Sequence, residues 1–206
     1  TKLLETTITA AVPYEENRVR WGFYGAASDE VLTQIPQHYK GGFRKLIHVL
    51  ALSRFDAMNK EWLKTPLGKK HGPWLIISGH RPHRYKFDFE YYKKINVGPG
   101  KNQYPNVRKA MAAKAFLSPH ETGLGIDMWN KSMDVSKGLA TELSHKNTMK
   151  KSEGFKWLKE NAHKFGFSPY KYEPWHWEVL VPLQSFLTGA EFTKDYSVRV
   201  TEKTRQ

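Results

Sequence analysis

In SPHETGLGID (residues 118–127) a histidine and an aspartate, His120 and Asp127, flank a glycine-broken turn. In YEPWHWEV (172–179) a glutamate and a histidine, Glu173 and His176, flank a proline. Taken singly these are ordinary residues: Asp in a glycine turn bonds its own backbone, and a lone His is usually satisfied locally. Taken together, His120, Asp127 and His176 make a two-histidine, one-carboxylate set, enough for a tetrahedral zinc whose fourth position stays open to water. Glu173 stands close to His176, where a general base for that water is wanted. The glycines give the loop the freedom to fold back so that His120 and Asp127 reach one ion.

Other chemistries use similar residues. E-x-x-H is half of a di-iron carboxylate site, but that site needs two copies in a helical bundle, and Pro174 inside the single copy opposes a helix. The pattern instead predicts Glu173 on a bend and His176 at the start of a strand, turned opposite to Trp175 and Trp177. Non-heme iron oxygenases also use two His and one carboxylate, yet their first pair stands closer in sequence than His120 and Asp127, and they have no need of Glu173. A third stretch, SGHRPHRY (78–85), leaves an apolar strand and offers Arg81. That side chain is either a solvated basic residue or a group that stabilises negative charge on a carbonyl oxygen.

These residues need elements to hold them. Phe43, Leu46, Ile47, Leu50, Ala57 and Met58 recur at helical spacing and predict one amphipathic helix from Phe43 to about Leu63, ended by Pro66 and Gly68. A short helix is expected after Ser28, a strand over WLIIS (74–78), and a strand start at Gly125–Trp129. Residues 84 to 104 read as a loop, followed by a helix over NVRKAMAAKAF capped by Asn106. Ser152 caps a helix over EGFKWLKENAHKFG that Gly166 closes, and HWEVLV (176–181) reads as a strand. The sum is an α+β fold, a small, largely antiparallel sheet with flanking helices in a single domain.

The chain has 206 residues and no cysteine, so any metal is held by His and carboxylate alone. Lys and Arg number 33 against 20 Asp and Glu, a net charge of +13 that calls for a negatively charged partner. There is no zinc-finger spacing, RNP signature or basic-region heptad, so no motif points to nucleic acid, and an anionic polymer such as a bacterial cell wall fits the charge equally well. No apolar run is long enough for a membrane span.

SGHRP, SPHETGLGID, SEGFKWLKENAHKFGF and YEPWHWEV, in this order across roughly residues 43 to 181, resemble the successive motifs of the VanY-type D-alanyl-D-alanine carboxypeptidases. That family lies within the zinc peptidases that also include the Hedgehog-type domain. The resemblance implies that His120, Asp127 and His176 bind one zinc ion, that Glu173 is the catalytic base and acid, and that Arg81 polarises the substrate carbonyl or holds the oxyanion. Ser118 matches a family serine that helps hold substrate, and Arg84, Lys86 and Trp175 join it as candidate substrate contacts. It also implies a peptidoglycan peptide as substrate and an extracytoplasmic place of action.

Four departures stand out. His80 replaces a usual Tyr, Lys86 stands where Gln is common, Glu178 replaces a common Arg, and the segment between Gly166 and Glu173 is short. All four are expected to shape the substrate groove and not the metal site. The short segment leaves a peptidoglycan endopeptidase open beside the carboxypeptidase. A zinc-stabilised module without activity has no need of Glu173 and Arg81. The expected organisation is an N-terminal extension packed on the domain (1–42), a zinc peptidase domain (43–187) and a polar tail (188–206), working as a monomer.

Overall fold

Short apolar runs in this chain form strands only where a partner strand exists, and the pairing decides which face each residue takes. The computed structural model describes residues 25–81, 118–170, 172–179 and 181–191. Among these, β1 (Leu32–Gln34) and β2 (Leu46–His48) form an antiparallel ribbon. A second sheet has four strands in the order β3-β4-β6-β5: β3 (Leu75–Ser78), β4 (Gly125–Trp129), β5 (Phe167–Tyr170) and β6 (Glu173–Val179). Every neighbouring pair in it is antiparallel. The helices are α1 (Val49–Lys64), α2 (Pro66–His71), α3 (Lys146–Lys151), α4 (Glu153–Asn161) and α5 (Leu183–Thr188). This is the α+β architecture expected, with one apolar cluster running through a single domain.

That cluster joins Leu50, Phe55, Met58 and Trp62 of α1, Phe155 and Leu158 of α4, and Ile76, Ile126, Met128 and Trp177 of the sheet. Phe155 meets Trp177 with ring centroids 6.3 Å apart, so α4 packs on the face that carries Ile126 and Trp177. Side chains alternate along a strand, so Asp127, His176 and Glu178 point to the other face. They too are buried. The sheet therefore has an apolar layer on one side and an enclosed polar layer on the other.

Several expected elements take a different form. The helix expected from Phe43 starts at Val49: Leu46–His48 is β2, held by pairing with β1, and Phe43 is exposed. The break is set by His48, whose Nδ1 accepts from the Leu50 backbone N–H as a helix cap. Pro66 does end α1, but it also opens α2 as its first residue, with the Thr65 hydroxyl accepting from Gly68 N–H at 3.0 Å. The helix expected after Ser28 is only a 3-10 turn, Asp29–Val31. Glu173 is not on a bend but opens β6. The strand accommodates Pro174 beside a register shift, where Tyr170 faces Glu173 and Pro169 faces Trp177. The loop at 84–104 and the helix capped by Asn106 lie outside the described residues.

The Ser152 cap is present, its hydroxyl accepting from Phe155 N–H at 3.3 Å, and Gly166 closes the following turn at φ 81°. On either side of residues 43–187, Lys40 bridges Ile76, and Glu191 forms a 2.8 Å ion pair with the buried Arg54.

The turn that carries His120 folds back tightly. Gly123 has φ 70°, and a Cβ there would lie 2.7 Å from the His48 backbone nitrogen; one on Gly125 would lie 2.9 Å from the Pro119 Cβ. Gly123→Ala is expected to lower stability by at least about 1 kcal/mol, the cost of a left-handed conformation for a side-chain-bearing residue, and to weaken metal binding as the turn shifts. Gly138→Ala, where a Cβ meets nothing within 4 Å, should change neither. Urea unfolding and a zinc titration of both variants check this.

Candidate metal centre

Register brings the first two site residues together. Asp127 of β4 lies directly opposite His176 of β6, and Asp127 Oδ1 is 2.9 Å from His176 Nδ1. The third arrives on the folded-back 3-10 turn Pro119–Thr122: His120 Nε2 lies 3.4 Å from the same Oδ1, and the two imidazole rings meet edge to face at 5.0 Å. The turn is held from inside, with the Ser118 hydroxyl accepting from His120 N–H at 3.3 Å and the Thr122 hydroxyl donating to the Pro119 carbonyl at 2.5 Å.

One donor atom from each of His120, Asp127 and His176 lies within 4.8 Å of the others, and all three residues are buried. Two nitrogens and one carboxylate oxygen are the donor set of an open, tetrahedral zinc site, in which neighbouring ligand atoms stand roughly 3.3 Å apart. The 3.4 Å pair fits that spacing, and the 2.9 Å pair needs only a small opening. Zinc, the cofactor expected from the sequence, fits these residues.

The outer nitrogen of each imidazole is also engaged. His120 Nδ1 is 2.8 Å from the Gly79 carbonyl, and His176 Nε2 is 3.0 Å from Glu178 Oε1. The Gly79 carbonyl can only accept, so Nδ1 donates and Nε2 presents its lone pair to the site. Glu178 thus touches a metal-site histidine, which corrects its expected place in the substrate groove. The signal was in the sequence: two positions after His176 on a strand is the same face.

Glu173 sits at the rim, its carboxylate only 13% exposed and Oε2 3.9 Å from His176 Nδ1. Arg81 is half-buried, and its backbone N–H donates to the His120 carbonyl at 3.0 Å. Its guanidinium is close enough to disfavour charge on His120. Trp175 is not brought to the site: it is buried in the apolar cluster, on the face turned away from His176. Arg84 and Lys86 lie outside the described residues.

The three groups titrate far from their ordinary values. Burial pushes His120 down to about 4, helped by the Arg81 charge. Burial alone would raise Asp127, but His120 and His176 together hold it well below the usual carboxylate range. His176 is likewise pulled down by burial, and its bonds to Asp127 and Glu178 outweigh that and lift it to about 9.

The family model for VanY, D-alanyl-D-alanine carboxypeptidase, matches residues 57–181, a span holding every one of these site residues. The chain belongs to the VanY family. No curated protein sequence matches it. Among solved structures, the LdcB LD-carboxypeptidase, whose structure addresses peptidoglycan recognition, is 19% identical over 89% of this chain and 85% of its own, with a TM-score of 0.54. The two share a fold. The D,D-pentapeptidase VanY of a VanB-type vancomycin-resistance cassette, in complex with Zn(II), is 16% identical over 85% of this chain and 89% of its own, at a TM-score of 0.45. VanYB in complex with D-alanine-D-alanine gives 17% identity over 85% and 87%, also at 0.45.

The opposite shifts of the two histidines predict a peaked stability profile for the metal-free VanY-family domain. His176 has a folded value near 9, above the ordinary 6.5, so its contribution is complete below pH 6.5 and lost as pH rises towards 9. His120 has a folded value near 4, so its contribution is present above pH 6.5 and lost as pH falls towards 4. Urea unfolding of chelator-treated protein should show greatest stability near pH 6.5, with losses on the order of 2–3 kcal/mol on each side. Saturating zinc should flatten the alkaline limb. A metal-free profile that keeps rising from pH 6.5 to 9 would contradict the assignment.

Proposed function

We propose that this chain is a zinc-dependent peptidase that removes the terminal D-alanine from peptidoglycan stem peptides. The observation that carries the reading is the buried convergence of His120, Asp127 and His176 with the Glu173 carboxylate at its rim. Bound by these three residues, zinc supplies the Lewis acidity that polarises the scissile carbonyl and acidifies the attacking water.

The remaining work falls to the protein's own groups. Glu173, at 3.9 Å from His176 Nδ1, accepts the proton of the water whose oxygen bonds to the carbonyl carbon. It then returns that proton to the amine nitrogen as the carbon–nitrogen bond breaks. Arg81, tied to the His120 backbone, offsets the negative charge that builds on the carbonyl oxygen. Ser118, whose hydroxyl caps the His120 turn, and the basic Arg84 and Lys86 are the candidates for holding the substrate and its terminal carboxylate. The net charge of +13 suits concentration on an anionic cell-wall polymer outside the cytoplasm. The catalytic unit is residues 43–187, acting as a monomer; most of the expected extension (1–42) and tail (188–206) lies outside the described residues.

Purified protein should carry about one zinc per chain by elemental analysis. Glu173→Ala should keep its zinc and lose roughly 10²–10⁴-fold in rate, whereas His176→Ala should lose both. Amidating the C-terminus of a pentapeptide stem should abolish release of D-alanine. Equal cleavage of the free acid and the amide, with no D-alanine released, would move the assignment to an endopeptidase on the same site.

A further inference from the structure

His120 and His176 face the same carboxylate through different nitrogens. His120 turns Nε2 inward and gives Nδ1 to the Gly79 carbonyl, whereas His176 turns Nδ1 inward and gives Nε2 to Glu178. The backbone amide behind His120 is part of any chain that runs there. The partner behind His176 is a side chain, that of Glu178. Glu178 stands where the VanY-type motif commonly has Arg, and arginine, which only donates, cannot accept from an imidazole N–H.

Glu178 is placed to meet the His176 ring. It lies two positions along β6 from His176, so both project from the same face, and both are buried, at 5% and 2% exposure. Across β4 its direct neighbour is Gly125, which leaves the carboxylate room, and across β5 it is Ser168. Its Oε1 reaches the far side of the His176 ring, away from Asp127, so it is not itself one of the converging ligands.

We propose that Glu178 is a positioning residue for the metal centre: by accepting from Nε2–H it fixes the His176 ring with Nδ1 towards the zinc. A carboxylate behind a metal-bound imidazole sets its tautomer and orientation and makes it a better donor, and losing such a partner typically weakens metal binding 10- to 100-fold. This rests on the zinc reading above.

Two measurements decide it. Zinc affinity, by competition with a chelator, should fall about 10- to 100-fold in Glu178→Ala, with most of it restored in Glu178→Gln, whose amide oxygen still accepts. Long-range proton–nitrogen NMR on the zinc-loaded wild-type protein should show His176 ligating through Nδ1 with a proton on Nε2, and His120 the reverse. The second needs no variant, so it holds even if the substitutions fail to fold. Equal zinc affinity in all three proteins, or His176 ligating through Nε2, overturns the role of Glu178 and leaves the peptidase standing. Wild-type protein that takes up no zinc overturns the reading beneath both.

Discussion

Asp127 carries a negative charge into a layer of the molecule that is closed to solvent, 8% exposed, and the surrounding structure is arranged to neutralise it. An unpaired buried carboxylate costs several kcal/mol. Here the strand register sets His176 directly across from it, and the folded-back turn delivers His120 from a third direction. The same requirement explains the two-sided sheet. An open polar face would let water screen the charge and would not need two imidazoles; an apolar one would force the carboxyl to stay protonated. The apolar cluster on the reverse face keeps β4 and β6 in register, so the packing of Ile126 and Trp177 fixes how closely Asp127 and His176 meet.

The charge pattern around that carboxylate makes the centre responsive to cations in general. In the absence of metal the positive member is His176, held charged between Asp127 and Glu178. A zinc ion held by these residues would take the place of that proton, so the net charge of the site would change by less than the ion's own. The second histidine is kept neutral by burial and by Arg81, so it offers its lone pair without first having to give up a proton.

Much of this was legible in the sequence. β4 runs over the residues that the alternation in GIDMW indicates, Ser152 opens α4 by ordinary cap chemistry and Gly166 closes the 3-10 turn that continues it, and the sequence named the His, Asp and His that converge. β2 was not legible, because Leu46 and Ile47 fall at helical spacing from Leu50 and only their pairing with Thr33 and Gln34 reveals a strand. The strand position of Glu173 was hidden for a related reason: Pro174 reads locally as a bend, and only the shifted register against β5 shows how a sheet absorbs it. Glu178 and Trp175 were misplaced although strand alternation, applied strictly from His176, puts one on the polar face and the other in the core.

The segment that follows β3 grips the His120 turn at two points, with the Gly79 carbonyl on the ring and the Arg81 N–H on the His120 carbonyl. A shift of the backbone at Arg81 therefore carries over, through these two bonds, to the imidazole that faces Asp127. Equilibrium linkage runs both ways. The end of β3 and the His120 turn therefore hold one another in place, and a displacement of either is felt at the imidazole that faces Asp127.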